Sequence, residues 1–315
     1  SRLQKTDTMT GPVTYKRLGL KKGVKKYWML YAMMIIPLAQ YFIFRYCPLW
    51  GVQVAFKDYN LFEGDGPWVG LKYFRQMFSQ ARFLQVIQNT LEIGLLKLVF
   101  LFPLPILLAL MLNEFRREFY KRLCQTVVYL PHFLSFVVIH SVFVNLLSTQ
   151  GGPVNEALAS LGLEKINFYT NERFRFVLLL TEAYRDVGFN TIVYLSALSA
   201  MDRQMFEVAA VDGANHFQQM LHLTLPGLMP VIMLMLTLRM GTILQSGTDQ
   251  ILVMYNPSVY KTADVIGTFV YREGIGGGKF SLSAAIGLYE SAVSFALIMI
   301  SNFITQRAFG RGLWQ

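Results

Sequence analysis

Six long runs of apolar residues alternate along the chain with shorter polar connections. Each run is at least as long as the roughly 20 helical residues that cross a bilayer. The runs lie near residues 27–48, 83–112, 124–147, 174–200, 226–247 and 282–306. The pattern therefore predicts an all-α membrane protein with about six transmembrane helices.

The segment before the first run has a different character, since residues 1–26 are polar and basic. A cleaved signal peptide would place its apolar core nearer the start, so we expect the first run to be retained. This predicts two parts, a basic N-terminal arm over 1–26 and a transmembrane domain over 27–315.

The composition agrees with a membrane protein and excludes an ordinary soluble enzyme. Hydrophobic residues make up 54% of the chain and charged residues only 15%, whereas soluble domains carry about 25% charged residues. The net charge of +10 would suggest a nucleic-acid partner in a soluble protein, so its distribution along the chain matters.

Placing the charges on alternate sides of the six spans explains the net charge. The side with both termini holds 15 basic and 6 acidic residues, an excess of 15 − 6 = +9, and the other side holds 10 basic and 9 acidic residues. Basic residues accumulate on the cytoplasmic side, so both termini are predicted to be cytoplasmic. The excess then indicates contact with the lipid bilayer, and no nucleic-acid partner is expected.

The cytoplasmic connection between spans four and five, residues 201–226, has an unusual composition for its side of the membrane. Residues 203–211 favour a helix, Asp212 and Gly213 favour a left-handed stop, and a second apolar stripe leads to Pro226 at the start of span five. Glu207 offers a carboxylate, and Ala209 and Ala210 allow close approach of a partner. The alternative is an amphipathic loop lying on the membrane, which does not explain an acidic, Ala-rich and Gly-containing loop on the positively charged side.

The spacing in this loop resembles a known family. Glu207-Val208-Ala209 is followed after three residues by Gly213 and after nine more by Leu223-Thr224-Leu225-Pro226. This is similar to the EAA loop of the membrane subunits of binding-protein-dependent ABC importers, with conservative departures at Val208 and Leu223. The resemblance implies a type I ABC importer transmembrane subunit, a permease that is not itself an enzyme, in a bacterial inner membrane. It also implies that the following residues couple the chain to an ATPase: Glu207, Ala209, Ala210, Asp212, Gly213, Leu225 and Pro226.

The same resemblance implies the partners. They are a second homologous permease subunit, two ATP-binding cassette subunits that hold ATP and Mg, and an extracytoplasmic solute-binding protein. Three further stretches are similar to the carbohydrate branch of the family and to permeases for alginate-like or other uronate oligosaccharides: Tyr255–Tyr260, Ala263–Arg272 and Gly312–Trp314. An oligosaccharide, of an acidic kind, is therefore the substrate that the resemblance implies.

The residues themselves indicate no bound cofactor or metal. Gly274 to Lys279 superficially resembles a phosphate-binding loop, but Phe280 replaces the Ser or Thr that would hold magnesium and Glu273 replaces the first Gly. The four histidines are scattered without metal-ligand spacing. ATP hydrolysis is thus expected on a separate subunit.

Ionisable and other polar groups inside the predicted spans are the candidates for a substrate pathway, because such groups are costly in lipid. The four polar residues of span four that are named below lie within an arc of about 140° on the helix. The candidates are Lys97 in span two, Glu182, Arg185, Asp186 and Asn190 in span four, Arg239, Thr242 and Ser246 in span five, and Glu290 in span six. Arg185 and Arg239 would suit carboxylated sugars through paired hydrogen bonds.

Two alternatives remain open for these groups. The charges could serve packing alone, with Glu182 paired to Arg185, and with Arg239 or Lys97 paired to Glu290 or Glu92. A protein of another class, an ion-gradient-driven secondary sugar transporter, could use Glu182, Asp186 or Glu290 as a proton relay. Such folds commonly contain inverted repeats, and the sequence shows none. A membrane receptor, a third class, would carry an appended soluble domain, which is not evident.

Overall fold

The computed structural model describes residues 26–62, 64, 66–115, 117–245 and 247–309. Within these ranges the chain is almost entirely helical, and two isolated antiparallel bridges, Lys57 with Trp68 and Asn60 with Gly64, are its extended contacts. The chain forms two compact units that divide after Gln53. Most of the predicted basic arm, the C-terminal Gly312–Trp314 and the candidate Ser246 lie outside the described residues.

The N-terminal unit contains helix α1 (Trp28–Tyr41), which continues through a π-helical turn (Phe42–Tyr46) into the first part of a 3-10 helix (Cys47–Phe56). None of the α1 side chains is buried, and almost all of them are apolar. Since apolar side chains on every side of a helix require an apolar surrounding, α1 is suited to contact lipid or another membrane protein.

The first α-helix of the second unit is short, and longer helices follow it. Its first half contains α2 (Lys72–Ser79), α3 (Ala81–Leu96), a π-helical turn (Lys97–Leu101), α4 (Pro103–Asn113), α5 (Glu118–Tyr129), a 3-10 turn (Leu130–Phe133), α6 (Phe136–Leu147), α7 (Pro153–Ser160) and α8 (Phe174–Ser199).

The second half of this unit has more short helices. It contains α9 (Arg203–Val211), α10 (His216–Gln219), a π-helical turn (Met220–Thr224), α11 (Leu225–Gly241), a 3-10 turn (Ile243–Gln245), α12 (Thr248–Met254), a 3-10 turn (Pro257–Val259), α13 (Tyr260–Ala263), α14 (Ile266–Val270), a π-helical turn (Tyr271–Gly276) and α15 (Phe280–Phe309).

The described helices correspond to the six predicted spans as four single long runs, one bent pair and one less apolar helix. Four helical runs are long and apolar enough to cross a membrane by themselves: Trp28–Phe56, Ala81–Asn113, His216–Gly241 and Phe280–Arg307. The third predicted span corresponds to a bent pair, Glu118–Phe133 with Phe136–Leu147. The fourth predicted span corresponds to α8, whose 26 residues extend about 39 Å and are long enough to cross a bilayer, although its charged residues make it less apolar than the others.

The third predicted span, near 124–147, is sharply bent in the structure. The two halves of this span meet at an angle of 102°. Pro131 removes a backbone donor near the end of the first half, and the Ser135 hydroxyl accepts a hydrogen bond from the Val138 N–H and so begins α6. This break carries His132 and the Leu134 carbonyl toward α8.

The bounds of the fifth span also differ from the prediction of 226–247. The helical run begins at His216, passes through the π-helical turn and ends at Gly241. Pro226 lies near the start of α11 inside this run, so it does not open the span. The loop over 201–226 is therefore joined to this long helical run without a break.

Helix α8 lies at the centre of the second unit, in contact with α4, α5 and α11. One apolar cluster joins α4, α8 and α11 through Ala109, Leu195 and Leu228 among others. Gly188 lets α8 approach the α5 backbone closely, since a Cβ at this position would lie 1.9 Å from the Val128 carbonyl oxygen. Close packing of this kind is common where small residues meet in membranes.

We predict that Gly188→Ala lowers the thermal stability of the detergent-purified protein. The added methyl group must displace the α5 backbone, and such overpacking costs about 1–3 kcal/mol. The control is Gly287→Ala in α15, where a Cβ meets no atom within 4 Å and alanine favours the helix. Equal melting temperatures for the two variants would contradict the close contact.

Candidate functional site

The polar face of α8 borders two adjoining cavities in the second unit. The main cavity has a volume of about 400 Å³ and is lined by residues of α3, α6, α8 and the segment after α11. The second cavity, of about 220 Å³, is mainly apolar and extends along α4, α8 and α11. Glu182, Asp186 and Arg239 line both cavities, so three of the predicted pathway residues lie where the cavities meet.

An ion-pair triad, defined as Lys97, Glu182 and Arg239, connects three membrane helices at this junction. The Lys97 ammonium pairs with Oε2 of Glu182, and Nη2 of Arg239 donates to Oε1 of the same carboxylate at 3.0 Å. Each carboxylate oxygen thus has one cationic partner. The triad carries two positive charges and one negative charge, so it retains one unit of positive charge.

Lys97 is the buried member of the triad, with 1% of its side chain exposed. Its ammonium also donates to Oε1 of Gln250 at 2.8 Å. The Gln250 amide is itself fixed, because its Nε2 donates to the Leu178 carbonyl and to the Thr181 hydroxyl. The position of the ammonium is therefore determined by groups on α8 and α12.

Gly247 provides the space that the Lys97 ammonium occupies. Its backbone is left-handed, with φ of +74°, and a Cβ would lie 2.4 Å from Nζ of Lys97. Both the backbone conformation and the close approach require glycine here. No feature of the sequence around residue 247 pairs it with residue 97, and so this role was missed.

A second charged group lies beside the triad on α8. Arg185 donates to the Asp186 carboxylate at 3.2 Å and to the Leu134 carbonyl at 3.2 Å, and its guanidinium lies 4.2 Å from the centre of the Phe136 ring. Nδ1 of His132 lies 2.9 Å from Oδ1 of Asp186. The bend in the third span thus supplies three contacts to this group, and His132, one of the four histidines without metal-ligand spacing, is a neighbour of the candidate pathway.

The other candidates are distributed unevenly. Thr242 lines the main cavity and Asn190 lines the second. Glu290 lines neither cavity and makes no ion pair with a residue that the structure describes. The alternative pairing of Glu182 with Arg185 is not found, nor is that of Arg239 or Lys97 with Glu290 or Glu92. The triad and the Arg185–Asp186 pair take the charged groups near the cavities instead.

The polar face of α3 belongs to a separate network. Glu92 pairs with Arg175, which also donates to Asn89 at 2.9 Å and to the Thr262 carbonyl at 3.2 Å. Gln85 donates to the Lys261 carbonyl at 2.8 Å. These contacts attach the connection around residue 262 to α3, so this face serves local structure and not the two cavities.

The loop over 201–226 forms the predicted helix, turn and helix. The Asp202 carboxylate caps α9, and Asn215 and Gln218 form a reciprocal cap on α10. The φ angle of +83° at Gly213 confirms the predicted left-handed stop. Glu207, Ala210 and Asp212 are exposed and Ala209 is half-buried.

Apolar side chains accompany these exposed polar groups. Val208 is 61% exposed, Val211 88% and Phe217 65%. Apolar groups clustered on an exposed loop are typical of a protein interface. The loop therefore presents both the Glu207 carboxylate and apolar surface to a partner. Within the described ranges, no group of three or more His, Cys, Asp or Glu side chains is placed to bind a metal ion.

Comparison with known proteins gives the family. The model of the family "binding-protein-dependent transport system inner membrane component" matches residues 102–314. The polygalacturonan/rhamnogalacturonan transport system permease protein YteP of Bacillus subtilis is 40% identical over 95% of this chain and 94% of the relative. Protein LplB of the same organism is 37% identical, with 95% of each chain covered.

The solved structures agree. A chain of a bacterial alginate ABC transporter, solved in complex with an alginate pentasaccharide-bound periplasmic protein, superposes with a TM-score of 0.86. It is 37% identical, and the match covers 93% of this chain and 99% of that one. The chain therefore belongs to the family of inner membrane components of binding-protein-dependent transport systems. It is a multi-pass permease subunit of an ABC importer and not an enzyme.

We predict that a cysteine at Thr242 reacts with a water-soluble maleimide much faster than a cysteine at Thr237. Thr242, just after the end of α11, is exposed in the main cavity, whereas Thr237, near the end of α11, is 1% exposed. The reaction needs water at the thiol, since the thiolate is the reactive form. Both variants are made with Cys47 and Cys124 replaced by Ser and are followed by mass spectrometry. Equal reaction rates would show that the main cavity is not hydrated.

Proposed function

We propose that this chain forms one half of the pore of an ATP-driven importer for carboxylate-bearing oligosaccharides. The observation that carries the proposal is the uninterrupted helical run from His216 to Gly241. One end of this run belongs to the exposed loop, and the other end holds Arg239 in the ion-pair triad. Movement of the loop would thus be transmitted to the cavities by a single helical run.

The loop is the proposed contact with an ATP-binding cassette subunit. Glu207 would meet a basic group of that subunit, Ala209 and Ala210 would allow close approach, and Asp212 with Gly213 would reverse the chain. Leu225 and Pro226 then lead into the membrane helix. Two such subunits would hold ATP and Mg, and their closure would change the side of the membrane to which the cavities open.

The remaining partners follow from the family and the relatives. A second homologous permease would complete the pore, and a solute-binding protein would deliver the sugar at the outer connections. The alginate transporter supports the assignment of a solute-binding protein, since that transporter was solved in complex with a periplasmic protein. The distribution of basic residues along the chain supports cytoplasmic termini in a bacterial inner membrane, with 1–26 as a basic arm before the permease domain.

Two observations support an acidic oligosaccharide as the substrate. YteP belongs to a polygalacturonan/rhamnogalacturonan transport system, and the alginate transporter imports an acidic polysaccharide. In this chain the triad keeps one unit of positive charge, and Arg239, 39% exposed, offers its guanidinium to both cavities. Guanidinium groups match the geometry of carboxylates.

The remaining candidates have supporting parts in this proposal. Arg185, Asp186, Asn190 and Thr242 would contribute polar groups to the walls of the path. Glu290, which lines neither cavity, stays a prediction, as does Ser246, which lies outside the described residues. An ion-gradient-driven transporter is not favoured, because the family and the relatives are components of ABC transport systems.

We predict that Gly213→Ala reduces both sugar uptake and co-purification of the ATPase subunit. An alanine with positive φ costs about 1–2 kcal/mol, which would distort the turn after α9. Gly162→Ala is the matched control, because Gly162 also has positive φ, at +75°, and both positions have open space for a Cβ. Uptake that falls equally in both variants would indicate general backbone strain and contradict a specific role of the loop.

We predict that Arg239→Ala lowers uptake of acidic oligosaccharides by about tenfold or more, since charged hydrogen bonds contribute about 1.5–3 kcal/mol. Arg239→Lys is expected to restore part of the uptake because it keeps the charge without the planar fork. Uptake is measured with radiolabelled uronate oligosaccharides in proteoliposomes containing the whole transporter and its binding protein. Unchanged uptake in Arg239→Ala would remove Arg239 from the path.

A further inference from the structure

We propose that Arg239 exchanges its partner during transport, leaving Glu182 for a carboxylate of the passing sugar, and that Lys97 makes this exchange possible. Lys97 acts as a positioning residue that stays on Glu182 throughout and does not touch the sugar. The inference rests on the proposed function, since it requires a carboxylate-bearing substrate.

The three members of the triad differ in exposure in the order that an exchange requires. The side chain of Lys97 is 1% exposed, that of Glu182 is 13% exposed and that of Arg239 is 39% exposed. Arg239 is also the member that lines both cavities together with Glu182, whereas Lys97 lines only the main one. A solute in the second cavity therefore meets Arg239 and not Lys97, and in the main cavity Arg239 is by far the more exposed of the two cations.

Glu182 can tolerate the departure of Arg239 because its two carboxylate oxygens have different cationic partners. Oε1 receives Arg239 and Oε2 receives Lys97. An unpaired buried carboxylate is strongly unfavourable, so with Arg239 as its only partner Glu182 would hold this group firmly. With Lys97 in place, Glu182 remains neutralised when Arg239 turns to the substrate.

Lys97 is fixed in this role by groups that leave it little freedom. Gln250, which is fully buried, accepts from the ammonium and is oriented by its own two hydrogen bonds. Gly247 lies against the other side of the ammonium, so closely that there is no room for a Cβ next to Nζ of Lys97. A cation restrained on two sides suits a permanent counter-ion better than a substrate contact.

The surrounding charges leave Arg239 as the group available to a carboxylate. Arg185 is held by Asp186, the Leu134 carbonyl and the Phe136 ring. Asp249 lines the main cavity but not the second cavity, so it would repel an anion only in the main cavity. Because the triad carries one excess positive charge, a sugar carboxylate that pairs with Arg239 brings the whole group to neutrality.

The test uses Lys97→Met, which removes the charge of Lys97 and keeps its length. If Lys97 frees Arg239, this variant locks Arg239 on Glu182, and uptake of acidic oligosaccharides is expected to fall about tenfold, although Arg239 is intact. The decisive variant is the double Lys97→Met with Glu182→Gln. It contains no unpaired buried charge and no carboxylate to hold Arg239, so uptake is expected to recover to within about threefold of the original protein.

Uptake of acidic oligosaccharides is compared after the amount of assembled transporter has been matched between variants, and each outcome then supports or overturns the exchange of partners by Arg239. A double variant as impaired as Lys97→Met overturns the exchange, since a merely structural need for the triad predicts no recovery. Undiminished uptake in Lys97→Met also overturns it. Lys165→Met, which breaks an exposed ion pair with Glu156, is the control and should transport normally. Failure of the unmodified transporter to import acidic oligosaccharides would instead refute the proposed function.

Discussion

The requirement that buried charge be compensated within the protein determines the arrangement around α8. Glu182, Arg185 and Asp186 lie near the middle of this long helix, and an isolated ionic group inside a membrane is very costly. Removing one partner of a buried ion pair costs about 3–5 kcal/mol. The neighbouring helices must therefore supply matching groups at defined positions, and several irregular features of the chain do so.

Three departures from regular helix geometry coincide with these charges. Lys97 is the first residue of a π-helical turn between α3 and α4, and such turns are frequent at functional sites. The bend between the halves of the third span brings His132 and the Leu134 carbonyl to α8. The left-handed backbone at Gly247 leaves room for the Lys97 ammonium. Each irregularity is thus located where it satisfies an ionic group.

The sequence predicted local features better than the partners of the charges. The stop at Gly213 depends on its own backbone and was predicted correctly, and the apolar runs identified the membrane helices because length and hydropathy are local properties. The break near Pro131 had a readable signal in the proline and in Ser135, but the apolar run concealed it. The triad could not be predicted, because Lys97, Glu182 and Arg239 belong to three helices whose neighbours are decided by packing. For the same reason, the partner of Glu92 is Arg175, near the start of α8, and not Lys97 or Arg239.

The position of the triad along the fifth span connects charge compensation with coupling. Arg239 lies close to the end of the helical run that begins in the loop at His216, about 23 residues and 35 Å away along a helix. Glu182 and Lys97 belong to other helices, so a displacement of the fifth span relative to α8 changes the Arg239–Glu182 contact first. The Lys97–Glu182 contact, which does not involve the fifth span, is preserved. The helix that would receive the movement from the loop therefore carries the exposed cation of the triad, and the buried cation lies on a helix that can stay in place.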